Sequence, residues 1–77
     1  MNKKKTYRPD ENLMIIIATE LFAKKHNISA KDAFAFFQKK GLDKLIRKHY
    51  GALHTQPLEE AYYFVEDVLN RKKQVAL

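Results

Sequence analysis

Residues 13–22 read LMIIIATELF, an almost unbroken apolar segment near the start of a chain of 77 residues. Leu13, Ile17 and Leu21 recur at intervals of four, and the residue after each of them is also apolar. This spacing predicts an amphipathic helix with a broad apolar face. Ile15 lies off the stripe, so we expect this helix to be buried on more than one side.

Capping residues and glycines predict where the first two helices begin and end. Asp10 is placed to cap the first helix, and Asn27 to stop it. Ser29, followed three residues later by an acid, resembles a capping box and opens a second helix. Gly41 is the residue type expected just past the end of that second helix.

Two more helices follow, with Gly51 expected to end the third and Pro57 expected in the first turn of the fourth. Thr55 or Gln56 is placed to cap the fourth helix. The predicted apolar faces are Ala33, Phe34 and Phe37 in the second helix, Leu42, Leu45, Ile46, His49 and Tyr50 in the third, and Leu58, Ala61, Tyr62, Val65, Val68 and Leu69 in the fourth.

The predicted fold class is therefore all-α, a compact single domain of four short helices. We expect residues 1–9 to form a basic flexible arm, residues 10–73 to form the helical domain, and residues 74–77 to fray. No run of residues has the alternation expected of a strand.

The composition predicts a folded domain with a small core. Hydrophobic residues make up 45% of the chain and nine residues are aromatic, which is too many for a disordered segment. A core of this size rarely supplies more than about 3–5 kcal/mol, and without cysteine no disulfide adds to it. We therefore expect tight packing, self-association or a protein partner to contribute. The lack of cysteine also excludes thiolate chemistry and Cys-based metal sites.

The positive charge is concentrated at the two ends of the chain. Residues 1–8 and 71–73 together carry seven basic side chains and no acid, whereas residues 9–70 carry eight basic and nine acidic side chains. Residues 24–48 hold eight bases and two acids, and residues 58–70 hold four acids and no base. Such a polarised body is either an ordinary solvated surface or one that steers a charged partner. The apolar run after the basic start is too short for export or a membrane span, so we expect a cytoplasmic protein.

Residues 50–57, YGALHTQP, join the third and fourth helices and hold the first candidate site: Tyr50, Leu53, His54 and Thr55. The favoured interpretation is structural: Tyr50 and Leu53 face the core, and His54 bonds a backbone carbonyl or another helix. A catalytic role for His54 would need an oriented nucleophile or carboxylate. Because the three histidines are scattered over separate segments, we expect no metal site. We also expect no cofactor, no small-molecule substrate and no enzymatic activity.

A second candidate site consists of basic residues that could bind nucleic acid. Helix three carries basic side chains that could lie along a phosphate backbone. It lacks the Asn, Gln or Ser side chains that read the edges of nucleotide bases. The candidate residues are Lys3, Lys4, Lys5, Lys44, Arg47, Lys48, Arg71, Lys72 and Lys73.

The aromatic residues indicate a third candidate surface. Neighbouring aromatics cannot all face one side of a helix, because consecutive positions lie about 100° apart. Phe36, Tyr63 and Phe64 are the candidates for positions off the principal core face. They either pack in a helix buried on two sides or form a patch that binds a protein partner or a second copy of the chain.

Tyr50, Leu53, His54 and Thr55, followed by Val65-Glu66-Asp67-Val68, resemble a family of small bacterial domains of unknown function. That family has a Tyr-x-x-Leu-His-Thr signature and a following acidic and apolar helix, and the resemblance covers roughly residues 11–72. The basic ends and Pro57 depart from its usual pattern.

The resemblance implies a helical domain with no established activity and no catalytic residues. Family members are often encoded beside a larger protein suspected to be an ADP-ribosyltransferase-like toxin, which implies an antitoxin-like or accessory role. We therefore expect a non-enzymatic protein-interaction module, with a nucleic-acid-binding helical domain as the alternative.

Overall fold

The computed structural model describes the backbone of residues 9–75 and the side chains of residues 11–71. Every regular element within that range is a helix, which confirms the all-α class, and four of the helices have at least seven residues. The helices are α1 (Pro9–His26), α2 (Ala30–Lys40), α3 (Leu42–Lys48), α4 (Tyr50–Leu53) and α5 (Glu60–Val75). Of these, none is long and apolar enough to cross a membrane.

The ends of α1 and α2 follow the predicted signals. Asn27 has a φ of 57° and follows the last residue of α1. Ser29 Oγ accepts a hydrogen bond from the backbone N–H of Asp32 at 3.0 Å, so Ser29 is the N-cap of α2. Gly41 has a φ of 71°, and its N–H donates to the carbonyls of the last turn of α2. The same residue precedes α3, so one left-handed residue separates two helices.

The core lies where α1 packs against α2, α3 and α5. Phe37, Met14, Leu42, Ile46 and Val65 are its largest fully buried side chains. The remaining buried apolar residues are Ile15, Ala18, Phe22, Ala23, Ala33, Leu53, Ala61 and Tyr62. Since α1 contacts three other helices, it is buried on more than one side, as the position of Ile15 predicts.

Thr19 is the buried polar residue of this core, and its hydroxyl is satisfied within α1. Thr19 Oγ1 donates to the carbonyl of Ile16 at 2.8 Å. A buried hydroxyl without such a bond would cost about 1–3 kcal/mol. The back-bond therefore lets a polar side chain sit in the face of α1 that packs on its neighbours.

The predicted apolar faces of α1 and α2 are wrong in part. In α1 the buried rows begin at Met14 and Ile15, while Leu13 is 45% exposed and Ile17 and Leu21 lie at the edge of the core. In α2 the buried residues are Ala33 and Phe37, and Phe34 is exposed. Helix α1 is therefore rotated from its predicted orientation by about one residue, which corresponds to about 100°. In α2 two of the three predicted residues are buried, and Phe34 alone is misplaced.

The connection between α3 and α5 also differs from the prediction. Gly51 does not end the third helix: α3 ends at Lys48, His49 forms a turn, and Gly51 lies inside the short helix α4. His49 was predicted on the apolar face and is exposed instead. Pro57 lies before α5 and outside it, because α5 begins only at Glu60. The structure thus has a fifth helix, α4, in addition to the four predicted, and this helix is a single turn.

Helices α1 and α5 run slightly past the predicted helical range, residues 10–73. Pro9, assigned to the arm, is the first residue of α1, so Asp10 lies inside the helix and not at its N-cap. Helix α5 continues to Val75, two residues past the predicted end of the domain. The rest of the predicted arm, residues 1–8, and residues 76–77 of the predicted frayed end lie outside the described residues.

Candidate functional site

The Tyr50–Thr55 segment is a single helical turn whose end is capped by its own side chains. Nδ1 of His54 donates to the backbone carbonyl of Tyr50 at 2.9 Å, and the two rings stack with their centroids 5.0 Å apart. Thr55 Oγ1 donates to the carbonyl of Ala52 at 2.8 Å. The carbonyl of Tyr50 also accepts the backbone N–H of His54 at 2.8 Å, so the imidazole is a second donor to it. Both side chains therefore bond carbonyls of the last turn of α4. Thr55 therefore bonds back to α4, in place of its predicted role as the cap of α5.

The four residues of this segment differ in burial. Leu53 is buried in the core, Tyr50 is half-buried, and His54 and Thr55 are exposed. His54 thus presents one face of its ring to Tyr50 and its Nδ1 to a carbonyl. An imidazole held in this way orients a turn, which is the structural interpretation of the segment.

A groove lies between this segment and the start of α1. We call it the Tyr50 groove; its volume is about 340 Å³, and it is lined by Leu13, Met14, Tyr50, His54 and residues 56–58. A second groove, the Tyr63 groove, has a volume of about 510 Å³ and lies farther along α1. It is lined by Leu21, Lys24, Lys25, Glu59, Tyr62 and Tyr63.

The two grooves follow one another along one row of α1. Leu13, Ile17 and Leu21 are spaced by four residues and so lie along the same side of the helix. The opposite walls meet at consecutive residues just before α5, because Leu58 lines the first groove and Glu59 the second. We call this whole feature the α1–α5 seam. It is formed by the row of α1 that the sequence places at the centre of the core.

The seam keeps substantial apolar surface in contact with solvent. Leu13 is 45% exposed at one end and Tyr63 is 57% exposed at the other. Ile16, one turn after Leu13, is also exposed, so the patch extends around α1. Exposed apolar side chains that adjoin a groove are typical of surfaces that bind other molecules.

Beside the Tyr63 groove, which Tyr62 lines, a polar cluster ties α1 to α5. Nε2 of His26 lies 3.0 Å from Oε2 of Glu66, and the His26 ring stacks on Phe22 with centroids 4.1 Å apart. Burial raises the pKa of Tyr62 to about 12, and its hydrogen bond to Glu66 acts in the same direction. Burial also disfavours ionisation of Glu66, but the bonds with Tyr62 and then His26 outweigh it, so the pKa of Glu66 lies below its ordinary value of 4.5.

The three predicted surface aromatics do not share one cluster. Tyr63 is exposed beside the Tyr63 groove and contacts Tyr62. Phe36 is half-buried and stacks on Phe22 of α1, with centroids 5.4 Å apart. Phe64 is also half-buried, and its ring contacts His49. Of the three, Tyr63 is the residue that the structure places at the seam.

Two of the predicted nucleic-acid residues are engaged within the protein. Arg47 donates to Glu11 Oε1 at 2.9 Å and to Asn12 Oδ1 at 2.8 Å, and thus joins α3 to α1. Arg71 pairs with Asp67 on α5 at 3.0 Å. Lys44 and Lys48 are exposed on α3. The predicted Lys3, Lys4 and Lys5 lie outside the described residues, as do the side chains of Lys72 and Lys73.

Sequence reasoning missed the His26–Glu66 pair and the exposure of the Leu13 row. The partners of the pair are 40 residues apart, so no local pattern relates them. Among the described side chains, no group of three or more His, Cys, Asp or Glu residues is arranged to hold a metal ion.

Comparison with known proteins gives one family. The model of a family described as a protein of unknown function, DUF3791, matches residues 14–72. This range includes the seam from Met14 onward, the Tyr50–Thr55 segment and most of α5. No curated protein and no solved structure matches the chain.

Proposed function

The chain belongs to the DUF3791 family, whose function is unknown, and from that premise we propose that it is a non-enzymatic, cytoplasmic protein-interaction module. The observation that supports this proposal best is the α1–α5 seam. Leu13 and Tyr63 lie at its two ends with about half of each side chain in solvent. Covering the exposed half of one such side chain would contribute about 1 kcal/mol.

The size of the core supports the same proposal. A domain of 77 residues has little stability to spare, yet it leaves a row of its longest apolar helix half covered. A partner that covers the seam would complete the burial of that row, since anything that binds only the folded state stabilises it.

The polar groups near the seam are occupied in ways that suit a binding surface. His54 bonds the carbonyl of Tyr50, and His26 bonds Glu66, so each imidazole has a structural partner. A histidine that acts as a catalytic base would instead direct a ring nitrogen toward substrate or toward a nucleophile that attacks substrate. The proposed role of these histidines is to fix the two ends of the seam.

The finer proposal concerns the partner. The resemblance to bacterial domains encoded beside a toxin-like protein suggests an antitoxin-like or accessory role toward a neighbouring gene product. Co-expression of the chain with that neighbour tests this. The expected results are relief of any growth arrest and co-purification of both chains, and independent purification of the two would contradict the pairing.

Affinity capture tests the general proposal. The full chain is the bait in a lysate of the organism that encodes it, with washes at low and then moderate salt. We expect a stoichiometric protein that survives the salt step. Nucleic acid lost at that step, with no protein retained, would contradict the proposal and favour binding through Lys44, Lys48 and the basic ends, because phosphate contacts weaken steeply with salt.

A further inference from the structure

The two ends of the α1–α5 seam differ in charge. The Tyr50 groove is lined by apolar, aromatic and uncharged polar residues together with His54. The Tyr63 groove carries Lys24 and Lys25 on its α1 wall and Glu59 on the other. The seam is therefore uncharged apart from His54 at the end near Leu13, and at the other end it carries two lysines on one wall and one acid on the facing wall.

The two lysines are not equivalent. Lys25 interacts electrostatically with Glu66, which has a depressed pKa in part for that reason. Lys24 is exposed, and among residues 11–71 its side chain has no ion pair or hydrogen bond. Lys24 is thus the lysine of this groove that is available to pair with an acidic group of a partner, and Glu59 lines the opposite wall.

The length of the seam also limits what can fill it. Leu13 and Lys24 are eleven positions apart, which at 1.5 Å per residue corresponds to about 16 Å along the axis of α1. This is the length of three turns of a helix. A helix that places apolar side chains at i, i+4 and i+7 covers such a groove with one face.

We propose that the α1–α5 seam receives an amphipathic helix of a partner protein, with its apolar face on the Leu13–Leu21 row and an acidic residue at one end against Lys24. This inference rests on the proposed function and adds the chemical character of the partner. The apolar row supplies affinity, and the pairing with Lys24 sets the direction in which the helix lies.

Peptide selection tests this inference directly. The full chain is used to select from a display library of helical peptides of about 15 residues, with leucines fixed at helical spacing and the other positions random. We expect the enriched peptides to carry Asp or Glu near one end. Lys24→Glu should weaken their binding about tenfold, equivalent to about 1.4 kcal/mol, and low salt should enlarge the difference.

Lys39→Glu is the matched control. Lys39 is also an exposed lysine in the last turn of a helix, so the substitution makes the same charge change in a similar helical setting, and Lys39 lines neither groove of the seam. Binding of the peptides should stay within about twofold of the unchanged chain. Far-UV circular dichroism of both variants verifies that they are folded.

Several outcomes would overturn the inference: no enriched peptide, enrichment without acidic residues, or equal effects of the two lysine variants. Dimerisation of the chain through the seam, detected by sedimentation, would assign the surface to a second copy and also overturn it. A protein captured from lysate equally well by the Lys24→Glu variant would leave the proposed function standing and refute this inference alone. Capture of no protein would refute the proposed function itself.

Discussion

His26 Nε2 lies 3.0 Å from Glu66 Oε2 and so joins the last turn of α1 to the middle of α5. Tyr62 bonds the same carboxylate from one turn earlier on α5. The carboxylate therefore has partners on both helices that form the seam. It holds α5 at a fixed distance and rotation beside α1.

Glu66→Gln should lower the free energy of unfolding at neutral pH by about 1 kcal/mol, because it removes the charge from a partly exposed hydrogen-bonded carboxylate. The pKa of Glu66 is lower in the folded chain than its ordinary 4.5, so the unfolded state binds more protons in acid. The contribution of Glu66 is present above pH 4.5 and is lost as the pH falls through the folded pKa. Urea unfolding at a series of pH values measures this.

Asp67→Asn is the control for that series. Asp67 is the next residue of α5 and pairs with Arg71 on the exposed surface. As the pH falls below 4.5, the free energy of unfolding should decrease less steeply in Glu66→Gln than in the unchanged chain. In Asp67→Asn the slope should stay close to that of the unchanged chain. Equal slopes in the unchanged chain and Glu66→Gln would show that the His26–Glu66–Tyr62 cluster is not formed in solution.

Tyr62→Phe should change the response to alkali. The pKa of Tyr62 is raised from 10 to about 12 in the folded chain, so its contribution is complete below pH 10 and is lost as the pH rises toward 12. Between pH 10 and pH 12, the free energy of unfolding of Tyr62→Phe should therefore fall less steeply than that of the unchanged chain. Tyr63→Phe removes an exposed hydroxyl whose charge is the smallest of the causes that raise the pKa of Tyr62, so it should change the alkaline slope much less. A larger change of the alkaline slope in Tyr63→Phe than in Tyr62→Phe would contradict the burial of Tyr62.

The two glycines should respond in opposite directions to substitution by alanine. Gly41 has a φ of 71°, where an alanine is strained, and Gly41→Ala should cost about 1 kcal/mol or more. Gly51 lies in α4, and an added Cβ there meets nothing within 4 Å, so Gly51→Ala should stabilise by about 0.5–1 kcal/mol. Chemical denaturation of both variants measures the two changes. Destabilisation by Gly51→Ala would contradict the helical assignment of α4.

His54→Ala should cost only about 0.5 kcal/mol. Its ring is exposed, and the carbonyl of Tyr50 keeps a second donor, the backbone N–H of residue 54 at 2.8 Å. Gln56→Ala, at an exposed position two residues later, should have almost no effect on stability. A loss of several kcal/mol in His54→Ala would mean that the imidazole is buried in solution.

The helix ends at Asn27 and Gly41 were predictable because they depend on local chemistry. Ser29 likewise caps through an amide three residues away. Gly51 misled the prediction, since glycine is compatible with a helical backbone as well as with a helix end. The turn at His49 ends α3 without a residue type that indicates a stop.

The orientation of α1 was not predictable in the same way. The row that begins at Met14 is apolar and lies between the rows that begin at Leu13 and at Ile15, which have the same period. Only the positions of α2, α3 and α5 decide which row is buried. Phe34 and Phe37 in α2 present the same ambiguity, and the structure buries Phe37. The seam follows from this choice, so the candidate site could be found only in the assembled fold.

The most direct test of the account is partner capture by Leu13→Asp compared with Phe34→Asp. Leu13 and Phe34 are each the fifth residue of their helix and are 45% and 42% exposed, so the two substitutions are closely matched. Leu13 lines the seam, and Phe34 lies on α2. The account predicts that Leu13→Asp loses the stoichiometric partner retained by the unchanged chain and by Phe34→Asp. Retention of the partner by Leu13→Asp, or its loss from both folded variants alike, would contradict the assignment of the α1–α5 seam as the binding surface.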